Sequence, residues 1–190
     1  MRYRILLLLV VLGLAMGVLF ARAHTIHAGT ADHLPYYPTA KQEQGGWCWA
    51  AALKSIAGYY GQWHSQCDIV KITWGPICAG WMFGYPDSRV TDTLLTYNFN
   101  SDLTGVISFN AIVSEISTHR RPIYIRRKLD PEPWWQHAMV LTGYNTVWEE
   151  QLVERMDPGG GYFDMHTYDW FVDGGDGWKW KATVYHIQRW

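Results

Sequence analysis

The sequence is poor in most features that mark a special class of protein. It has no basic run, no internal repeat, no low-complexity segment and no periodic glycine; only 17% of its 190 residues are charged, and the formal net charge is −1. Without a basic tract there is no electrostatic footprint for nucleic acid. A low net charge beside 48% apolar residues excludes a disordered or collagen-like chain. Cysteine is scarce and odd in number, at positions 48, 67 and 78, so this is not a disulfide-dense scaffold. The length suits one domain, or two tightly joined lobes, able to bury a core without a metal staple. Tryptophan, in contrast, is abundant, with 12 residues.

The first 23 residues read as a secretory signal peptide. Arg2 and Arg4 form a positive start, Ile5 to Phe20 carry no charge, and Ala21-Arg22-Ala23 fits a small-residue cleavage site. The uncharged run is shorter than the roughly 20 residues a membrane span requires. Losing Arg2, Arg4 and Arg22 takes the formal charge from −1 to −4. Export, to a periplasm or beyond the cell, places the cysteines where thiols pair, so one of three is left over.

Residues 24–41, with Pro35, Pro38 and three histidines, read as an irregular arm. Behind the Gly45-Gly46 breaker, residues 47–60 carry the apolar spacing of a central helix, with Cys48 in its first turn. Shorter helical patterns cover 68–72, 88–97 and 108–119, the last with Ser108 as N-cap. From Arg121 the pattern turns to strands, over 122–126, 137–144, 151–156 and 179–187, separated by the glycine-rich turns at 157–161 and 173–177. Helices about 42–120 followed by antiparallel strands about 121–190 define an α+β domain spanning 24–190.

A cysteine in the first turn of a helix faces unpaired N–H groups and the positive end of the helix dipole, which favour negative charge on sulfur and on a nearby oxyanion. A buried structural cysteine is the plain alternative for Cys48. Among eight histidines, His137 opens the most apolar strand and suits a pinned, partly desolvated imidazole. A hydrogen-bonded core-edge histidine is its plain alternative. Asp157 ends the next strand, where adjacent antiparallel strands can bring it to the ring, although Asp-Pro-Gly is also an ordinary turn opening. Gln42, six residues before Cys48, lies within reach of an oxyanion, and Gln44 competes for that place.

The motif Gln42-x-x-x-x-Trp47-Cys48-Trp49-Ala50-Ala51, then Gln136-His137-Ala138-Met139-Val140-Leu141-Thr142-Gly143-Tyr144, then Met156-Asp157-Pro158, resembles the bacterial papain-like cysteine peptidases. It is similar to the subgroup related to bacteriocin-leader-processing peptidases and plant-pathogen effector proteases, over residues 35–187. The resemblance implies a helical lobe carrying the nucleophile against a sheet carrying the histidine. It makes Cys48 the nucleophile, His137 the base and then acid, Asp157 the orienting group and Gln42 an oxyanion donor. It implies hydrolysis of an amide through a thioester acyl-enzyme. The 18 residues from 24 to 41 are too short for an inhibitory pro-domain, so restraint would fall to an inhibitory or immunity partner.

Trp47 and Trp49 beside the nucleophile, and Trp134 and Trp135 before the histidine, are expected to wall the cleft as substrate subsites. The tryptophans at 63, 74, 148, 170, 178, 180 and 190 are expected in packing. Cys67 and Cys78 are most simply a disulfide. The expected partner is a peptide or protein substrate, the expected state a monomer, and no cofactor, metal or nucleic acid is called for. Amidase or transglutaminase-like acyl transfer would use the same three side chains, and an inactive peptide-binding relative would keep the cleft. A more distant reading, copper held by an amino-terminal His24 with His27, leaves Cys48 unexplained.

Overall fold

A computed structural model describes residues 29–80, 87–132, 134–147, 150–174 and 176–190. The expected signal segment, His24, His27 and Trp148 lie outside the described residues. Helices pack on one antiparallel sheet, the α+β arrangement expected from the order of patterns.

The central helix α1, Cys48–Tyr59, buries nearly every residue. Ala50, Ala51 and Ala52 are fully enclosed, as are Leu53 and Ile56. Its run of small side chains lets the backbone lie close to the sheet, while Trp49, Leu53 and Ile56 each contribute about 1.5–3 kcal/mol of apolar burial. Gly61, at φ 78, turns the chain away just beyond the helix end. Helix α2, Gln66–Trp74, starts at Ser65, whose hydroxyl oxygen accepts from the Asp68 N–H at 3.0 Å. Helix α3 spans Asp87–Thr96, and α4, Phe109–Val113, runs into a π-helical turn at Ser114–Thr118. Ser108 caps α4 as its position predicts.

The sheet comprises β1 (Ala31–His33), β2 (Phe99–Thr104), β3 (Ile123–Leu129), β4 (Gln136–Asn145), β5 (Leu152–Asp157), β6 (Tyr162–Thr167) and β7 (Trp178–Arg189). Its order is β2-β7-β3-β4-β5-β6, with β1 joined to β4. Strand β4 is its middle: Ala138 to Tyr144 are all buried, which explains an apolar run with no alternation. Beyond Leu141, where β3 stops pairing, β1 takes up the free edge of β4. Gly143 permits this, because a Cβ there would sit 2.9 Å from His33 Cβ and 3.0 Å from the Asp32 carbonyl oxygen.

Several elements differ from the sequence expectation. The arm supplies β1, the mainly helical half supplies β2, and β6 with the short helix α5 (Tyr168–Asp173) follows the first glycine turn. Strands β2 and β6 are both sheet edges with largely exposed side chains, so neither shows clean apolar alternation. No helix among the described residues is long and apolar enough to cross a membrane.

Candidate active site

Cys48 is the first residue of α1, preceded by Trp47 in the N-cap position, where no side chain satisfies the helix's leading N–H groups. No acidic residue occupies the first turn to offset the dipole. The sulfur meets β4 where β5 has not yet begun to pair with it, since their ladder runs from Val140 onward. The Ala138 N–H there donates to Cys48 Sγ at 3.4 Å. Negative charge on this sulfur is therefore supported from the helix end and from the strand.

His137, one residue earlier on β4, hydrogen-bonds with Cys48. Its Nε2 lies 2.7 Å from Asp157 Oδ1, which leaves Nδ1 for the thiol. Burial by itself would lower the imidazole pKa, but the hydrogen bonds to Asp157 and Cys48 and the charges of both outweigh it and push it up to about 9. At neutral pH the ring thus holds a proton. Burial likewise tends to raise the Asp157 carboxyl, but the hydrogen bond and charge of His137, the Gly159 N–H at 2.8 Å and the Arg155 guanidinium hold it below the usual carboxylate range. The structure thus brings Cys48, His137 and Asp157 into one line.

Gln42 is tethered beside this line: its backbone N–H donates to the Pro158 carbonyl at 2.8 Å, next to Asp157. Its side-chain Nε2 donates to the Gly45 carbonyl at 3.0 Å rather than reaching Cys48. The Gln44 side chain turns instead towards Gly80, so of the two glutamines Gln42 is the one fixed to the Asp157-Pro158 turn.

The four tryptophans divide, and half of the cleft-wall expectation is corrected. Trp47 and Trp49 are buried, at 3% and 2% exposure, and the Trp47 ring N–H donates to the Ala79 carbonyl. Successive helical residues point about 100° apart, so a helix that aims Cys48 at β4 sends Trp49 elsewhere, into the core. Trp134 and Trp135 stand out at 86% and 65%, just ahead of His137. Packing fails as the expectation for Trp63 and Trp190, at 74% and 70% exposure, is only partial for Trp74, and holds for Trp170 and Trp180. Cys67 and Cys78 are joined as a disulfide, and Cys48 is the free thiol. No cluster of three or more His, Cys, Asp or Glu side chains suited to a metal ion occurs among the described residues.

Arg155 and Asp164 also belong to this site, although neither stands out in the sequence. Arg155 reaches Asp157 Oδ2 at 3.2 Å and grips Asp164 with two bonds, at 2.6 and 2.8 Å. A signal was present: Arg155 and Asp157 are two apart on one strand and so share a face. Arg155 and Asp164 sit directly opposite across β5 and β6. Arg127 and Arg155 both lie over the Trp170 ring, at 3.8 and 5.0 Å, beside a cavity of about 200 Å³ that His137 also lines.

Residues 34–185 match the Peptidase_C39 like family, and the chain belongs to that family of cysteine-type peptidases. The fold is similar to that of the peptidase domain of Streptococcus ComA, a bifunctional ABC transporter involved in a quorum-sensing pathway. That likeness has a TM-score of 0.59 at 14% identity, covering 82% of this chain and 100% of the other. It is similar also to a C39-like peptidase from Bacillus anthracis, with TM-score 0.63, 15% identity and coverage of 85% and 100%. A double glycine motif protease from an AMS/PCAT transporter, solved with its leader peptide, gives TM-score 0.52, 15% identity and coverage of 80% and 91%. No curated protein sequence matches the chain.

Proposed function

We propose that the protein is an exported papain-like cysteine peptidase that cleaves peptide bonds through a thioester acyl-enzyme. The observation that carries this reading is the convergence of a free thiol at a helix N-terminus with an imidazole held by a buried carboxylate. Cys48 Sγ attacks the scissile carbonyl carbon, and the carbonyl oxygen becomes an oxyanion. The Cys48 N–H lies ready for that oxyanion, joined by the Gln42 amide once it turns from Gly45. His137 gives its proton to the departing amine, leaving an acyl-thioester on Cys48. The neutral imidazole then takes a proton from a water as it attacks the thioester, the carboxylic acid product leaves, and the Cys48 thiolate and His137 imidazolium are restored.

Trp134 and Trp135 form the apolar wall for the substrate. The bound leader peptide in one structural relative favours a peptide as substrate here, ahead of a cell-wall amide or an acyl acceptor. The enzyme works as a monomer after loss of residues 1–23, in the periplasm or outside the cell, with any restraint coming from a separate protein.

Labelling with iodoacetamide or an epoxide probe at mildly acidic pH tests the nucleophile. Fast labelling of the wild type, lost in Cys48→Ala and slowed in His137→Ala, is the expected result. An unreactive Cys48 would overturn the assignment. A profile of peptides cut by the wild type but not by Cys48→Ala then separates peptide hydrolysis from acyl transfer.

A further inference from the structure

We infer that Arg155 is a positioning residue of the catalytic line: clamped by Asp164, it holds the outer oxygen of Asp157 and so sets the orientation in which Asp157 meets His137. The inference rests on the peptidase reading of this site. Asp157 Oδ1 is fully engaged, by His137 at 2.7 Å and by the Gly159 N–H at 2.8 Å. For Oδ2, the partner among the described residues is Arg155, at 3.2 Å. The Asp157 side chain is only 10% exposed and that of Arg155 9%. Without the guanidinium, a largely buried carboxylate oxygen would lose the positive charge it faces, and the carboxylate would be freer to turn about its Cβ–Cγ bond.

Arg155 is itself held rigidly. Nε and Nη2 take the two oxygens of Asp164 as a fork, and Nη1 lies 3.4 Å from Met139 Sδ. The same Nη2 bridges Asp164 and Asp157, so the orientation set on β6 is passed to β5 through one group. A guanidinium does this where an ammonium can do so only in part, because its donors are fixed in a plane.

A merely structural Arg155 would tie β5 to β6 and affect stability alone. Two readouts separate the roles without a known substrate: the rate of Cys48 alkylation by iodoacetamide at pH 6, and the low-field proton resonance of the His137–Asp157 hydrogen bond. In Arg155→Met, alkylation is expected to slow roughly ten- to hundredfold and the resonance to move upfield or vanish. Arg155→Lys is expected to recover part of both. Asp164→Asn, on the exposed edge strand, leaves the catalytic residues and Arg155 in place and is expected to give the same changes at smaller size. It decides the matter if Arg155→Met does not fold. Wild-type alkylation and an unmoved resonance in folded Arg155→Met, or in Asp164→Asn where that variant decides, overturn the inference. An unreactive wild-type Cys48 instead overturns the peptidase reading.

Discussion

Of the three His–Asp pairs among the described residues, two share the same closest approach in different surroundings. His137 Nε2 lies 2.7 Å from Asp157, and His186 Nδ1 lies 2.7 Å from Asp102, joining β7 to β2. The first pair is shielded, with side chains 24% and 10% exposed; the second is open, at 42% and 66%. The third partner differs more. The free side of His137 meets a thiol, whereas His186 Nε2 lies 3.6 Å from Glu115, a carboxylate already paired with Arg121. A histidine between two carboxylates has nothing to activate. Distance alone therefore does not define a catalytic pair; burial and the chemistry at the other ring nitrogen do.

The largest expected effect comes from taking the sulfur away and leaving His137 as idle as His186. Cys48→Ala should lower peptide hydrolysis by about 10⁴-fold or more with the fold intact by circular dichroism. Next, parallel amide substitutions set the two pairs against each other. Asp157→Asn should lower kcat by about 10²- to 10⁴-fold, while Asp102→Asn should leave kcat within about twofold and cost under about 1 kcal/mol of stability in chemical unfolding. A large loss from Asp102→Asn would erase the distinction between the regions.

The pH dependence of stability sharpens it further. Because folding raises the His137 pKa from its ordinary value to about 9, its contribution is full below about pH 6.5 and is lost as pH rises through about 9. Asp157, held low, contributes above the ordinary carboxylate range and loses that contribution as the solution is acidified below it. Denaturant titrations at pH 6, 8 and 10 should show a declining stability in the wild type and a flatter one in His137→Ala. Smaller still, Trp134→Ala combined with Trp135→Ala should raise KM about tenfold with kcat and thermal midpoint nearly unchanged, since both rings are exposed beside the first pair. Cys67→Ser, outside both regions, should cost about 2–3 kcal/mol of stability with the smallest change in kcat.

Much of the site was legible in the sequence because its members announce themselves locally. Cys48 follows a glycine breaker at the head of an alanine-rich helix, His137 opens the most apolar strand, and Asp157 closes the next one. The structure gathers all three. What stayed hidden depends on register. Arg155 gains its meaning from standing opposite Asp164 on an edge strand whose own pattern does not read as a strand. Trp47 and Trp49 misled for the opposite reason, since closeness in sequence on a helix means divergence in space. In the fold, β1 and β2 escaped because one is three residues long and the other is a largely polar edge, each recruited by a partner far along the chain.

The place of β7 bears on how such a molecule is made. As the last of the seven described strands in sequence order, it lies between β2 and β3, and among the described residues β2 has no other neighbour in the sheet. A ribosome must therefore release residues 178–189 before β2 can join the sheet. Until then β3 also lacks its second partner, and helix α3, which packs on β2 and β7, has no completed edge to rest on. Such long-range closure delays folding relative to synthesis. The β2 edge of the sheet therefore stays open until β7 has been made, although β4 and β5, which carry His137 and Asp157, precede it in the chain.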